Sequence, residues 1–159
     1  MLFRSIGENG AGKSTTIKAI LGLLKPQSGS VTVLGEDSMK LSNSTKEKIG
    51  VVFDEMPFPK NLTAKQLDKV FKGIFKSWDS AEYYGYLEKF GLPSDKKLKT
   101  FSRGMQMRIS IAAALSHHPQ LLVLDEPTGG LDPIMRSEIL DMLLEFMQDE
   151  THKIGRAHV

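Results

Sequence analysis

Short runs rich in apolar residues divide this chain into predicted strands. Three runs have the length of a strand and are bounded by polar or turn-forming residues: Val31–Leu34, Ile49–Phe53 and Leu121–Leu124. Because Leu121–Leu124 is apolar at every position, we expect it to be buried on both faces of a parallel sheet.

Between these runs, apolar residues recur every three or four positions, which is the spacing of one helix face. Thr63 with Gln66 matches a capping box, and Asp132 followed by Pro133 is typical of a helix start. Glycine and proline mark several helix ends. The predicted helices cover Lys13–Leu24, the apolar stripe from Leu67 to Phe75, about Ser80–Phe90, Ser102 to the residue before Pro119, and a last helix from Asp132.

Strands that alternate with helices predict an α/β domain. The stretch of residues 56–100 is predicted to be helical, and we interpret it as a subdomain inserted into that α/β domain. No internal repeat or low-complexity tract interrupts the pattern. We therefore expect a single domain over residues 6–153.

The two ends of the chain look foreign to this domain. Leu2–Ser5 can be encoded by an adapter-like DNA sequence whose reverse complement, in another frame, encodes Ile-Gly-Arg and the start of an Ala codon. Ile154–Ala157 has that sequence. We expect residues 1–5 and 154–159 to be non-native, and the natural protein to be truncated on both sides. The alternative is a coincidence between two short peptides.

Composition limits the class of protein. The chain has 159 residues, 40% of them hydrophobic and 25% charged, which is typical of a globular domain. A net charge of +2 with both signs scattered gives no indication of a surface that coats nucleic acid. The chain has no cysteine, which excludes disulfides and thiolate metal sites. No apolar run approaches the roughly 20 residues of a membrane span, so a membrane role would depend on a partner chain.

Residues Gly7–Ser14 match the phosphate-binding pattern G-x-x-x-x-G-K-(S/T) without departure. Glycines let backbone N–H groups turn toward a β-phosphate at the positive end of the following helix. Lys13 is predicted to reach the β- and γ-phosphates, and the Ser14 hydroxyl to ligate Mg²⁺. The alternative is a glycine-rich turn before an unrelated helix. The candidate nucleotide-binding residues here are Gly7, Glu8, Asn9, Gly10, Ala11, Gly12, Lys13, Ser14 and Thr15.

Two carboxylates, Asp125 and Glu126, directly follow the apolar run Leu121–Leu124. Ligands of open α/β sheets bind at the carboxyl ends of strands. Asp125 is placed to hold Mg²⁺, directly or through water, and Glu126 to act as the general base or to orient the attacking water. The alternative is an acidic pair that ends a strand in solvent.

Between these two motifs, Phe101–Met105 resembles the L-S-G-G-Q signature of ABC ATPases. Ser102 and Gly104 keep their places in it, whereas Phe, Arg and Met replace the Leu, the first Gly and the Gln. The segment Asp125–Pro133 looks like the family's Walker B motif running into its D-loop. The order and spacing of the three motifs agree with the family over the whole natural segment.

Within this family the chain is similar to bacterial ABC-2-type exporter ATPases. The stretches Val51–Pro59 and Ser116–Pro119 are most similar to a Gram-positive subgroup linked to cell-envelope or antibiotic-stress operons. The resemblance implies a P-loop NTPase (RecA-like) fold and ATP hydrolysis with Mg²⁺. It also implies attachment to the inner face of the cell membrane through a transmembrane permease subunit. No nucleic acid partner is expected.

The resemblance further implies a head-to-tail pair of nucleotide-binding domains with two ATP molecules between them. Ser102 and Gly104 would then approach the partner's γ-phosphate at the positive end of their helix. The alternative for Ser102 is a plain helix N-cap, and one residue can serve both roles.

Asp54 follows the run Ile49–Phe53, where the family's Q-loop glutamine is expected. A carboxylate there could ligate Mg²⁺, and the alternative is a solvated turn residue. The family's adenine-stacking aromatic residue and its switch histidine fall outside this chain, and His158 lies in the foreign tail. His117 and His118 close a predicted helix and are interpreted as structural.

Two other functions stay open from the sequence. One is a soluble ATPase of the same superfamily that acts on ribosomes or DNA ends; the other is a regulatory module that binds nucleotide without hydrolysing it. DNA-end relatives carry a long coiled coil, for which the interval between Ser14 and Phe101 is too short. Glu126 argues against a non-hydrolysing module, because inactive copies often lose that residue.

Overall fold

A computed structural model describes residues 2–4, 13–125 and 131–148 of the chain. These ranges contain both strands and helices, with two strands in succession near residue 35, three α-helices in succession between residues 64 and 115, and single turns of 3₁₀-helix at Ser38–Lys40 and Leu98–Thr100. The strands are β1 (Leu2–Arg4), β2 (Thr32–Val33), β3 (Glu36–Asp37), β4 (Ile49–Val52) and β5 (Leu121–Leu124). The helices are α1 (Lys13–Ile20), α2 (Asn43–Lys46), α3 (Ala64–Ile74), α4 (Ser80–Lys89), α5 (Arg103–Leu115) and α6 (Pro133–Gln148).

A parallel sheet with the order β1-β5-β4 forms the centre of the described structure. In its register, Val52 of β4 lies opposite Leu124 of β5. All four residues of β5 are buried, as predicted for a strand covered on both faces. The segment Leu2–Arg4, which we expect to be non-native, pairs with β5 as strand β1.

The two faces of β5 belong to two different hydrophobic clusters, because successive side chains of a strand point to opposite faces. Leu122 and Leu124 pack in one cluster with residues of α5 and α6. Leu121 and Val123 pack in the other with Ile17 of α1. The sheet is therefore a layer between α1 on one side and α5 with α6 on the other.

The predicted strand Val31–Leu34 is shorter in the structure and belongs to an antiparallel hairpin of β2 and β3. Leu34 and Gly35 both have positive φ, 49° and 87°. Two such residues in succession are typical of the tight turns that connect hairpin strands. The hairpin is not predicted by the sequence, because leucine seldom adopts this conformation.

The predicted helical subdomain is present as α3 and α4, which pack against α5. Its core contains the buried aromatic residue Tyr83, whose hydroxyl donates to the carbonyl of Ala64 at 3.2 Å. Thr63 forms the predicted capping box with Gln66. None of the helices within residues 13–125 and 131–148 is long and apolar enough to cross a membrane.

Helix α5 approaches β4 so closely that position 50 requires glycine. A Cβ at Gly50 would lie 2.8 Å from the carbonyl oxygen of Ala114. This contact is with backbone, which cannot move aside as a flexible side chain can. The close approach fixes the position of α5 along β4.

Candidate functional site

The carboxyl ends of β4 and β5 meet at one edge of the sheet and bring two acidic residues there. Asp125 directly follows β5, and its backbone N–H donates to the carbonyl of Val52 at 2.9 Å. This bond continues the ladder one residue beyond the strand and holds Asp125, whose side chain is half-buried. Asp54 leaves the same edge two residues after the end of β4.

Helix α1 begins at Lys13, as the phosphate-binding motif predicts for the helix that follows the cradle. Buried Ile17 anchors it on the face of the sheet that carries Val123. Thr15 is exposed in the first turn. The rest of the predicted site lies outside the described part of the chain. It consists of Glu126, the side chains of Lys13 and Ser14, and the cradle residues Gly7, Glu8, Asn9, Gly10, Ala11 and Gly12.

The signature-like segment opens helix α5 in the manner that the sequence predicts. The Ser102 hydroxyl accepts from the backbone N–H of Met105 at 3.3 Å, so Ser102 is the N-cap of α5 and is exposed. The Gln106 side chain donates to the carbonyl of Phe101 at 3.0 Å. The N-cap interpretation of Ser102 is confirmed, and its contact with a partner's nucleotide stays a prediction.

Gly104 is buried against helix α6. A Cβ at Gly104 would collide with the side chain of Met135 and lie 4.0 Å from Leu131. Helix α6 is held at this point by Asp132, whose carboxylate accepts from the backbone N–H groups of residues 134 and 135 at 3.0 Å each. The contact of Gly104 is with the flexible end of the Met135 side chain, which can shift, so packing does not require glycine here as it does at Gly50. The nucleotide contact that the resemblance implies for Gly104 stays a prediction.

Asp54 forms an ion pair that sequence reasoning missed. Arg103 Nη2 donates to Asp54 Oδ1 at 2.7 Å, across 49 positions of sequence. One oxygen of the predicted Mg²⁺ ligand is thus engaged by a guanidinium. The sequence contained one indication of this ion pair: Asp54 and Arg103, which both depart from the family's motifs, carry opposite charges.

His117 has the structural role that was predicted for it. Its ring is buried and stacks on Phe75 with centroids 4.2 Å apart, and its two nitrogens lie 3.4 Å and 3.3 Å from the carbonyl oxygens of Ala113 and Ile49. Burial lowers the pKa of His117 from its ordinary value of 6.5, although the two carbonyl contacts oppose the shift. Because its pKa is lowered, the buried ring is neutral at pH 7. His117 does not close a helix as predicted, since α5 ends earlier, at Leu115.

Acidification below about pH 6.5 is therefore expected to destabilise the fold through His117. The unfolded ring binds its proton near pH 6.5, whereas the folded ring binds it only at lower pH. The stability that neutral His117 provides is complete above pH 6.5, and it is lost as pH falls toward the folded pKa. The free energy of unfolding should fall by up to about 1.4 kcal/mol per pH unit, measured by urea unfolding between pH 7.5 and pH 5.5.

Two glutamine variants test the assignment to this ring. His117→Gln should show a flatter pH dependence than the parent protein. His118→Gln keeps the buried ring and should retain the loss. An equal slope in the parent and in His117→Gln would refute the assignment.

A second group of possible metal ligands lies at the other end of α5. Asp79, Glu82 and His118 place one ligand atom each within 4.8 Å of one another. Asp79 also caps α4, and its backbone N–H donates to the carbonyl of Ser116, which follows the last residue of α5. Since α5 has 13 residues and each adds about 1.5 Å, this group is remote from the Ser102 end and separate from the sheet edge.

A model of the family described as ABC transporter matches residues 4–129 of the chain. The bacitracin transport ATP-binding protein of Bacillus licheniformis is 42% identical, over 84% of this chain and 44% of its own length. The linearmycin resistance ATP-binding protein of Bacillus subtilis is 38% identical, over 98% of this chain and 52% of its own length. The chain thus spans about half the length of these relatives. The lantibiotic transport ATP-binding protein of Streptococcus pyogenes is 39% identical, over 99% of this chain and 68% of its own length.

Solved structures share the fold. One, described as an ATP-binding subunit of an ABC transporter, is 28% identical with a TM-score of 0.78, over 99% of this chain and 68% of that one. Another is an ATP-binding cassette described as a dimer in a post-hydrolysis state with ADP and Pi. It is 25% identical with a TM-score of 0.78, over 98% of this chain and 72% of that one. The predicted α/β fold of P-loop NTPases, with its parallel sheet, is confirmed.

Proposed function

Since the chain belongs to the ABC transporter family, we propose that it binds ATP with Mg²⁺ and hydrolyses it as the ATP-binding subunit of a membrane exporter. The observation that carries the proposal is the carboxyl edge of the sheet. There the backbone bond from Asp125 to Val52 fixes an acidic residue beside the end of β4. Ligands of open α/β sheets bind at this edge.

Each candidate residue has a separate task in this proposal. The cradle Gly7–Gly12 and Lys13 bind the phosphates, and the Ser14 hydroxyl and the Asp125 carboxylate are oxygen ligands of the kind Mg²⁺ prefers. Glu126, next in the chain after Asp125, takes the proton of the attacking water. Mg²⁺ neutralises the charge that develops on the phosphates.

The exporter role is supported by the names of similar proteins, which include bacitracin transport, lantibiotic transport and linearmycin resistance. We infer two protein partners. One is a second nucleotide-binding domain, since a similar cassette is described as a dimer, and Ser102 and Gly104 would face its nucleotide. The other is a transmembrane permease, which would hold the subunit at the inner face of the cell membrane.

Fractionation of cells that express a full-length version tests this role. We expect the protein in the membrane fraction when a transmembrane permease partner is co-expressed, and we expect Mg²⁺-dependent phosphate release from ATP. Sedimentation with ribosomes in place of membranes would favour the soluble ATPase. Binding of ATP without phosphate release would favour the regulatory module.

For Asp54 we propose a role in Mg²⁺ handling, because it leaves the same sheet edge as Asp125. Asp54→Asn removes a negative charge and should raise the Mg²⁺ concentration that gives half-maximal hydrolysis. The measurement is a Mg²⁺ titration at fixed ATP. Superimposable titrations of the parent and the variant would contradict a role in Mg²⁺ handling.

A further inference from the structure

Two residues that depart from the family's motifs contact each other. Asp54 stands at the position expected for a glutamine, and Arg103 at the position expected for a glycine. Their side chains form an ion pair, with 2.7 Å between Arg103 Nη2 and Asp54 Oδ1. The Asp54 side chain is 44% exposed and the Arg103 side chain 57%. Each replacement alone adds a charge at this edge of the sheet, whereas together their charges cancel.

The backbone around the pair determines the distance between its members. Asp54 follows β4, which is held in parallel register with β5. Arg103 is the first residue of α5, directly after the N-cap Ser102. The close approach of α5 to Gly50 fixes this helix against β4. Two packed elements therefore present the carboxylate and the guanidinium to each other.

This ion pair affects the net charge at the sheet edge more than it affects the stability of the fold. Half-exposed ion pairs contribute little to stability, because water already solvates both groups. Asp54 and Asp125 leave the same edge, where the proposed nucleotide would bring its own negative phosphates. An unpaired Asp54 carboxylate would repel them, and a paired one would not.

We propose that Arg103 is a positioning residue for Asp54 in ATP binding. Its guanidinium binds one oxygen of the carboxylate and offsets its charge, so that an acidic residue is compatible with phosphates at this edge. The second oxygen would serve the proposed role in Mg²⁺ handling. The inference rests on the proposed function, since it concerns the nucleotide site of that function.

The test is a double-mutant cycle on ATP hydrolysis by a full-length version at saturating Mg²⁺. Arg103→Ala should raise KM for ATP about tenfold with a smaller change in kcat. This is the size of the repulsion expected between a phosphate charge and an unpaired Asp54 carboxylate about 10 Å away at a protein surface. The double variant Asp54→Asn/Arg103→Ala, in which this edge is again neutral as in the parent, should have a KM within about twofold of the parent value. Arg103→Lys, which keeps the charge, should recover most of the loss.

Salt and a matched ion pair provide the controls. The KM defect of Arg103→Ala should shrink as ionic strength rises, because salt screens exposed charges. Lys89 and Glu145 form an ion pair of 2.8 Å with side chains 52% and 65% exposed, between α4 and α6. Lys89→Ala should leave KM unchanged.

Two results would overturn the inference: an unchanged KM in Arg103→Ala, or a double variant Asp54→Asn/Arg103→Ala that keeps the full KM defect of Arg103→Ala. Failure of the proposed function looks different. In that case the parent protein itself neither binds nor hydrolyses ATP, whatever residue stands at position 103.

Discussion

Glu126→Gln in a full-length version is expected to cut ATP turnover by about a hundredfold or more while ATP binding persists, which is the scale of general-base contributions. The amide keeps the shape of the side chain but cannot accept the proton of the attacking water. Phosphate release measures the loss. Because hydrolysis would end the paired state, the variant should accumulate an ATP-bound dimer that size-exclusion chromatography detects.

A glutamate remote from the sheet edge serves as the control for this substitution. Glu145 is exposed on helix α6 and pairs with Lys89. Glu145→Gln should hydrolyse ATP at the parent rate and form no trapped dimer. Turnover by Glu126→Gln at the parent rate would remove this carboxylate from the mechanism.

Lys13→Ala in the same protein is expected to abolish tight ATP binding, with a loss of affinity of about a hundredfold. The β- and γ-phosphates lose a charge-assisted partner, and bonds of that kind contribute about 1.5–3 kcal/mol each. Isothermal titration calorimetry with ATP and Mg²⁺ measures the change.

Lys18→Ala is the matched control for Lys13→Ala, since Lys18 is an exposed lysine of the same short helix. It should bind ATP with the affinity of the parent. Equal thermal unfolding of both variants would show that the effect belongs to the site. Unchanged affinity in Lys13→Ala would contradict the cradle assignment.

Local pattern was sufficient to predict the elements that carry the proposed site. The uniformly apolar run Leu121–Leu124 is a strand buried on both faces, and the caps at Thr63, Ser102 and Asp132 are present. Each of these predictions depends on residues within about four positions of one another, a range over which spacing alone determines the geometry.

Helix α3 shows where such a pattern is insufficient. Its predicted apolar stripe includes Val70 and Ile74, which are exposed, whereas Asp68 on the same helix is buried. The Asp68 carboxylate accepts from the indole N–H of Trp78 at 2.9 Å, which satisfies a polar group that would otherwise avoid the interior. Hydropathy cannot reveal which carboxylate finds such a partner.

The ion pair of Asp54 with Arg103 was unpredictable for a related reason. Its members are 49 positions apart, and they meet because α5 packs along β4. That packing depends on Gly50, where the backbone of α5 leaves no room for a side chain. Contacts of this kind form only when the fold is assembled, so local sequence patterns cannot predict them.

Helix α5 contributes to two hydrophobic clusters, and this has a consequence for unfolding. Met107 and Ile111 pack in the cluster of the sheet, whereas Ile109 and Ala112 pack in the cluster of the helical subdomain. Loss of either cluster uncovers a face of the same helix. We therefore expect the amides of α4 and β5 to exchange with solvent deuterium through one common opening, as members of a single cooperative unit.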